Sequence, residues 1–237
     1  CQFLHDEGWL VGISIDGTQE QHDAYRRDIQ GNGTWQKVVD SIKMLNEYGV
    51  EWNAMATANH FNAKDPLAFY RFFRDELHCK FLQISPVVER IREHTDGRHL
   101  AQLFDENCPI APFSIRPEEW GHFMCDIFDE WVRHDVGEVF VQLFDATLAG
   151  WMGVEPGTCV YAEECGHAAV MEHNGDVYSC DHFVFPQYKL GNIREHGLPQ
   201  MLYGTKQSRF SRLKREALPR QCRQCEWLKA CHGECPR

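Results

Sequence analysis

The sequence predicts an α/β domain followed by a small cysteine-rich domain, and three observations carry that prediction. Apolar β-branched runs alternate with stretches of helical periodicity through the first half. Seven of the eleven cysteines crowd into residues 159–235. An apolar fraction of 43% over 237 residues, with seven Trp and fifteen Phe, is enough to fill a real core, so the chain is not expected to be disordered.

The elements follow in order. The opening "CQFLHDEGW" reads as the tail of an amphipathic helix and begins with Cys, so the chain is expected to be a fragment. "LVGISID" (10–16), "VEWNAMATA" (50–58) and "KFLQISPVV" (80–88) are strand-like. Between them "TWQKVVDSIKMLNEYG" (34–49), closed by Gly49, and "DPLAFYRFFRDELH" (65–78) carry the helical period. This βαβ succession implies parallel strands, right-handed crossovers and ligands at the carboxyl ends of the strands. Residues 89–116 are polar, broken by Pro109 and Pro112, and read as a long loop. "RPEEWGHFMCDIFDEWVRHD" (116–135) is a helix with Pro117 in its first turn and Trp120, Phe123, Met124, Ile127, Phe128 and Trp131 on one side. "EVFVQLFD" (138–145) supplies one more strand. The texture then changes, which places a domain boundary near 150, dividing 1–150 from 151–237. Within the second part "HAAVMEHNGDVYSCD" (167–181) reads as a hairpin around Asn174-Gly175, and a basic helix over 205–216 leads into the cysteine-rich end.

Charge and hydropathy narrow the partners. With 24 Lys plus Arg against 35 Asp plus Glu the net charge is −11, which disfavours nucleic acid and anionic lipid as partners. No apolar run approaches the ~20 residues that span a bilayer, and the start lacks a signal-peptide pattern, so a soluble cytoplasmic protein is expected. Eleven thiols in a large reducing-compartment protein favour metal over disulfides.

The last seven cysteines are spaced C-x5-C-x14-C-x41-C-x2-C-x5-C-x3-C from Cys159 to Cys235. Short gaps let successive thiolates face one ion or cluster. Zinc and iron–sulfur both accept such ligands, but only Cys222 and Cys225 form the compact C-x2-C pair that zinc sites favour, and the irregular remainder tilts toward clusters. Seven ligands fill one four-ligand site and leave three, so a second site has an open iron or a ligand beyond the chain's end.

These residues also carry a family resemblance. The seven-cysteine pattern resembles the SPASM domain of radical S-adenosylmethionine (radical SAM) enzymes, and "VGISIDGTQEQHDAYR" (11–26) resembles the fourth strand and following loop of their barrel. "CGHAAVMEHNGDVYSCDHFVFPQYKLGNI" (165–193), with Asp181 directly after Cys180, is most similar to the anaerobic sulfatase-maturating enzymes. The fold implied is α/β: the C-terminal part of a partial (β/α)6 radical SAM barrel (1–150), followed by a truncated SPASM domain (151–237). The family's C-x3-C-x2-C motif occurs nowhere in the chain, so by resemblance its cluster belongs upstream of residue 1, an eighth auxiliary ligand belongs beyond 237, and the fragment itself is expected to be inactive.

The resemblance further implies that Cys159, Cys165, Cys180 and Cys235 hold a first auxiliary 4Fe-4S cluster, while Cys222, Cys225 and Cys231 hold a second. It puts Ser14, Arg26 and Val87 around S-adenosylmethionine and makes Asp181 the base in the oxidation of a sulfatase Cys or Ser to Cα-formylglycine. A sulfatase polypeptide is then the substrate, and a reduced flavodoxin- or ferredoxin-like protein the electron donor. An anionic cluster beside Asp181 is expected to raise its pKa.

Blander readings stand beside these. Asp181 also reads as a hairpin Asp bonding local backbone, and Arg26 as a solvated loop charge. His22-Asp23 reads as an ordinary surface pair, the other histidines carry no metal-site spacing, and Cys79, Cys108 and Cys125 read as plain core or surface thiols. Two further functions compete: a SPASM enzyme modifying another peptide, and a non-catalytic zinc-binding adaptor.

Overall fold

Alternating burial organises the first half of the chain. After a short helix α1 (Gln2–Asp6), strand β1 (Leu10–Ser14) leads to α2 (Gln19–Asp23), whose Thr18 cap forms a reciprocal capping box with Gln21. Helix α3 (Trp35–Glu47) turns its Val39, Ile42 and Leu45 inward and precedes β2 (Glu51–Ala58). In β2 Ala54, Ala56 and Ala58 are buried while Met55 between them is exposed, the period of two that lays one face of a strand on a core. Asp65 caps α4 (Pro66–Arg71) by accepting from the Ala68 amide at 3.0 Å. The rest of the helix expected over 65–78 is a wider π turn, Phe72–Glu76, rather than α-helix. Strand β3 (Phe81–Pro86), helix α5 (Pro117–His134) and the two-residue strand β4 (Phe140–Val141) complete the set. The structure, a computed structural model, describes residues 1–92, 100–101 and 105–235; the rest of the loop expected over 89–116 lies outside the described residues.

The four strands pair in parallel in the order β1-β2-β3-β4. One face packs its Ile15, Ala56, Leu82 and Val141 against Ile42, Phe69, Phe73, Phe123 and Ile127 of the helices. The opposite face presents Ser14, Met55 and Phe81 outward. The full strand expected over 138–145 is not there. Its apolar run divides between β4 and the first turn of α6 (Gln142–Met152), because Val141 and Phe144 can both reach the core from a strand end and a helix start.

The chain forms two compact units, Cys1–Phe144 and Asp145–Arg237. In the second, β5 (Val170–Met171) and β6 (Asp176–Tyr178) make the expected hairpin, with Gly175 at φ +87° in its turn. A third strand, β7 (Lys189–Asn192), extends it antiparallel on the β6 side. Helices α7 (Leu198–Leu202), α8 (Thr205–Glu216), α9 (Arg220–Arg223) and α10 (Leu228–Cys231) follow.

Candidate metal centre

Four of the seven cysteines converge. Cys159 and Cys165 bracket the turns before the hairpin, and Cys180 ends the extended segment after β6. Cys235 follows a run of left-handed residues, His232, Gly233 and Glu234, that reverses the chain after α10. These thiols line one cavity of about 180 Å³ together with Val160, Ala168, Asp181, His182, Phe183 and Phe210. Cys222 on α9, Cys225 in the turn beyond it and Cys231 at the end of α10 do not line that cavity.

Four thiols dominate the donors, with the Asp181 carboxylate and the His182 imidazole beside Cys180, all three offering donor atoms within 4.8 Å of one another, and Val160, Ala168, Phe183 and Phe210 make the rest of the wall apolar. A zinc ion held by four thiolates at ~2.3 Å closes its site completely. A cavity of about 180 Å³ is several times the ~30 Å³ share of one water and suits a polynuclear iron–sulfur core better than a single ion. Burial holds two of these thiols protonated in the metal-free chain: it raises the pKa of Cys165 above the usual thiol range and pushes that of Cys180 up to about 11. Ligation therefore displaces protons.

In the metal-free chain Asp181 is governed by the Cys180 thiol rather than by a cluster. The Cys180 thiol donates to its Oδ1 at 3.1 Å, and that bond, ahead of the neighbouring His182, holds the carboxyl below its usual range rather than above it. A cysteine ligating iron has no such proton to give, so the lowering belongs to the thiol form of Cys180. Two participants in the site carried no assignment from the sequence. His182 lines the cavity with Nδ1 3.5 Å from Cys235 Sγ, and its signal was its place in the run "SCDH". Lys214 is 3% exposed and donates to the carbonyls of Cys159 at 2.8 Å, Val160 at 2.7 Å and Ala162.

At the carboxyl edge of the parallel sheet, Ser14 ends β1 with its side chain exposed, and Val87 follows β3, its amide bonded to the Ala58 carbonyl at 2.8 Å. Arg26 is not a free loop charge. Its guanidinium grips the buried Asp16 through Nε to Oδ2 and a second bond to Oδ1 at 3.2 Å, while Asp16 Oδ1 also accepts from the Thr57 amide at 2.7 Å. His22-Asp23 is likewise structural, not superficial. His22 is 1% exposed; its Nδ1 accepts from the Asp16 amide at 3.2 Å, so Nε2 carries the proton toward Thr34 Oγ1 at 3.0 Å. Asp23 Oδ1 accepts from the Trp35 amide at 2.9 Å at the start of α3. Cys79 is a buried core thiol, and Cys108 and Cys125 are not.

Comparison with known proteins gives this geometry a context. Residues 159–226 match SPASM, an iron–sulfur cluster-binding domain. The whole chain is 55% identical to a serine-type anaerobic sulfatase-maturating enzyme of Bacteroides thetaiotaomicron, of which it covers 57%. It is 30% identical to a cysteine-type enzyme of Clostridium novyi, of which it covers 60%. A solved structure of anSMEcpe with bound AdoMet superposes with a TM-score of 0.80 at 26% identity, over 99% of this chain and 58% of that one. The chain thus spans somewhat over half the length of the relatives it matches. Among the described residues no helix is long and apolar enough to cross a membrane.

Proposed function

We propose that this chain, which carries a SPASM domain and is a relative of the anaerobic sulfatase-maturating enzymes along its whole length, serves a radical SAM oxidoreductase that converts a sulfatase Ser or Cys to Cα-formylglycine. The observation that carries the reading is the cavity where Cys159, Cys165, Cys180 and Cys235 meet with Asp181 on its wall. Bound S-adenosylmethionine and the clusters would supply the hydrogen-abstracting radical and an outlet for the electron.

The chain's own residues do the rest. Cys159, Cys165, Cys180 and Cys235 hold the first auxiliary cluster, and Cys222, Cys225 and Cys231 give three ligands to a second. Asp181 takes the hydroxyl or thiol proton of the target, beside a cluster ligand, so proton and electron leave at one place. Ser14, Val87 and Arg26, the last fixed by Asp16, hold S-adenosylmethionine at the carboxyl edge of the sheet, where parallel α/β folds bind ligands. A reduced flavodoxin- or ferredoxin-like protein delivers the electron. The 55% identity to a serine-type enzyme, against 30% to a cysteine-type one, supports Ser as the target.

The test is Asp181→Asn in the complete protein. Asn keeps the shape but accepts no proton. The variant should go on making 5′-deoxyadenosine while formylglycine falls by roughly 10²–10⁴, the usual contribution of a positioned base. Near-normal formylglycine rejects the base role, and joint collapse of cluster content and both products makes Asp181 structural.

A further inference from the structure

Helix α8 buries polar side chains where a core-facing helix would bury apolar ones. Its inward stripe is Gln207, Phe210, Ser211 and Lys214, at helical spacing. Gln207, fully buried, donates through Nε2 to the carbonyls of Gly166 at 3.0 Å and Ser179 at 3.2 Å. The Ser211 hydroxyl accepts from the Gly166 amide at 2.9 Å, and the Ser211 carbonyl accepts from the Cys165 amide at 3.2 Å. Lys214 spends its ammonium on the carbonyls of Cys159, Val160 and Ala162. The segments bearing Cys159, Cys165 and Cys180 therefore hang from one face of one helix, each held next to its thiol.

Lys214 stands out within that stripe because its charge has no partner of the usual kind. It is 3% exposed, yet among the described residues no carboxylate forms an ion pair with it. Carbonyl dipoles satisfy its hydrogens but do not cancel its charge, and an uncompensated buried cation is costly. What it lies against is the loop that carries Cys159, whose thiol lines the cavity together with those of Cys165, Cys180 and Cys235. Four thiolates around a 4Fe-4S core leave a net negative charge, which is the counter-charge the site otherwise lacks.

We propose that Lys214 is a positioning residue of the Cys159–Cys165–Cys180–Cys235 centre: it fixes the 159–162 loop and, as a buried cation, holds the cluster's reduction potential higher than the thiolates alone would set it. The inference rests on reading that centre as an iron–sulfur site. A nearby positive charge favours the more negative, reduced state of the cluster, so removing it makes reduction harder.

The 237-residue chain, reconstituted anaerobically with iron and sulfide, tests this through iron content and an EPR-monitored redox titration. Lys214→Met preserves length but removes the charge and the three donors. Iron retention against a chelator should weaken by roughly 10–100-fold, as for other outer-shell partners of metal ligands, and the midpoint potential should move to more negative values. Lys214→Arg, which keeps the charge, should recover the potential even where retention stays weakened. A Lys214→Met chain with wild-type retention and potential overturns the inference. Should that variant not fold, Lys214→Arg decides alone: a wild-type potential supports the counter-charge and a more negative one overturns it. A wild-type chain that takes up no iron overturns the cluster reading itself, and this inference with it, a failure visible before any variant is made.

Discussion

His22 shows how far one side chain's role depends on the fold around it. In sequence it is a His beside an Asp in a polar stretch; in the structure it links the end of β1 to the start of α3 through Asp16 and Thr34. Burial lowers its pKa below the usual 6.5, the largest influence, against an opposing pull from Asp16. The folded chain thus binds the proton less readily than the unfolded one, so the stability His22 contributes is fully present above about pH 6.5 and is lost as pH falls below it. Urea midpoints followed by Trp fluorescence should fall between pH 7.5 and 5.5 in the wild type. His22→Gln should start lower and lose less over that range; parallel losses in the two proteins would reject the role. Neither this histidine nor Lys214 was legible as buried, because a polar residue's burial is decided by what folds over it. That the clustered cysteines serve a metal was legible from their short gaps, but the grouping of Cys235 with Cys159, Cys165 and Cys180 came from the family resemblance, because more than forty residues separate Cys180 from the last cysteine group. The bond from the Cys180 thiol to Asp181 was not legible, because it exists only while Cys180 carries its proton.

At the scale of elements, hydrophobic period carried most of the fold. It marked α3, α5 and the three longer strands, all of which are long enough for the pattern to repeat, while α8 was expected as a basic helix. It failed where elements are too short for the pattern to stand out: at β4, which borrows two residues from a run that continues as helix, and at the four-residue β7, whose pairing is set by the hairpin it joins. One polar joint was also beyond the pattern. Tyr70 of α4, fully buried, donates to Asp135 at 2.8 Å, and Arg74 from the π turn bridges Asp135 at 3.1 Å and Glu130 at 3.0 Å, tying that segment to the end of α5. Tyr70→Phe keeps the ring and loses one buried hydrogen bond, so it should cost about 1–2 kcal/mol. Arg74→Met removes the cation paired with Asp135, which keeps only the Tyr70 hydroxyl, and one of the two arginines on Glu130, which keeps Arg71; it should cost more, approaching ~3 kcal/mol, held below the fully buried case because the Arg74 side chain is 22% exposed. Chemical denaturation of both variants checks the order; a Tyr70→Phe cost above that of Arg74→Met would show that the phenol, not the guanidinium, organises the joint.

Over the whole molecule, the two units draw on different sources of stability. The large apolar cluster, from Ile15 to Phe144, lies entirely in Cys1–Phe144. Among the described residues of the second unit the buried apolar side chains are Ala146, Val177, Met201, Phe210 and Ala230, two of them only alanine. Its ordering comes instead from polar fastenings around the thiols and from chain reversals at positive φ, such as Gly166, His232, Gly233 and Glu234. Such a unit cannot offset its backbone entropy by apolar burial alone, and ligation of the thiols to metal becomes part of its folding free energy. Hydrogen exchange followed by mass spectrometry should therefore divide the chain. Amides of the first unit should show the same protection with and without reconstitution by iron and sulfide, whereas those of the second should exchange rapidly in the metal-free chain and become protected on loading. Cys180→Ala, which removes one of the four thiols at the cavity, should abolish most of that gain; Cys222→Ala should leave protection in 159–180 largely intact, because Cys222 does not line the cavity. Equal protection of the second unit in the metal-free and loaded chains would show that its polar fastenings suffice alone, and that the thiols occupy a framework already folded without them.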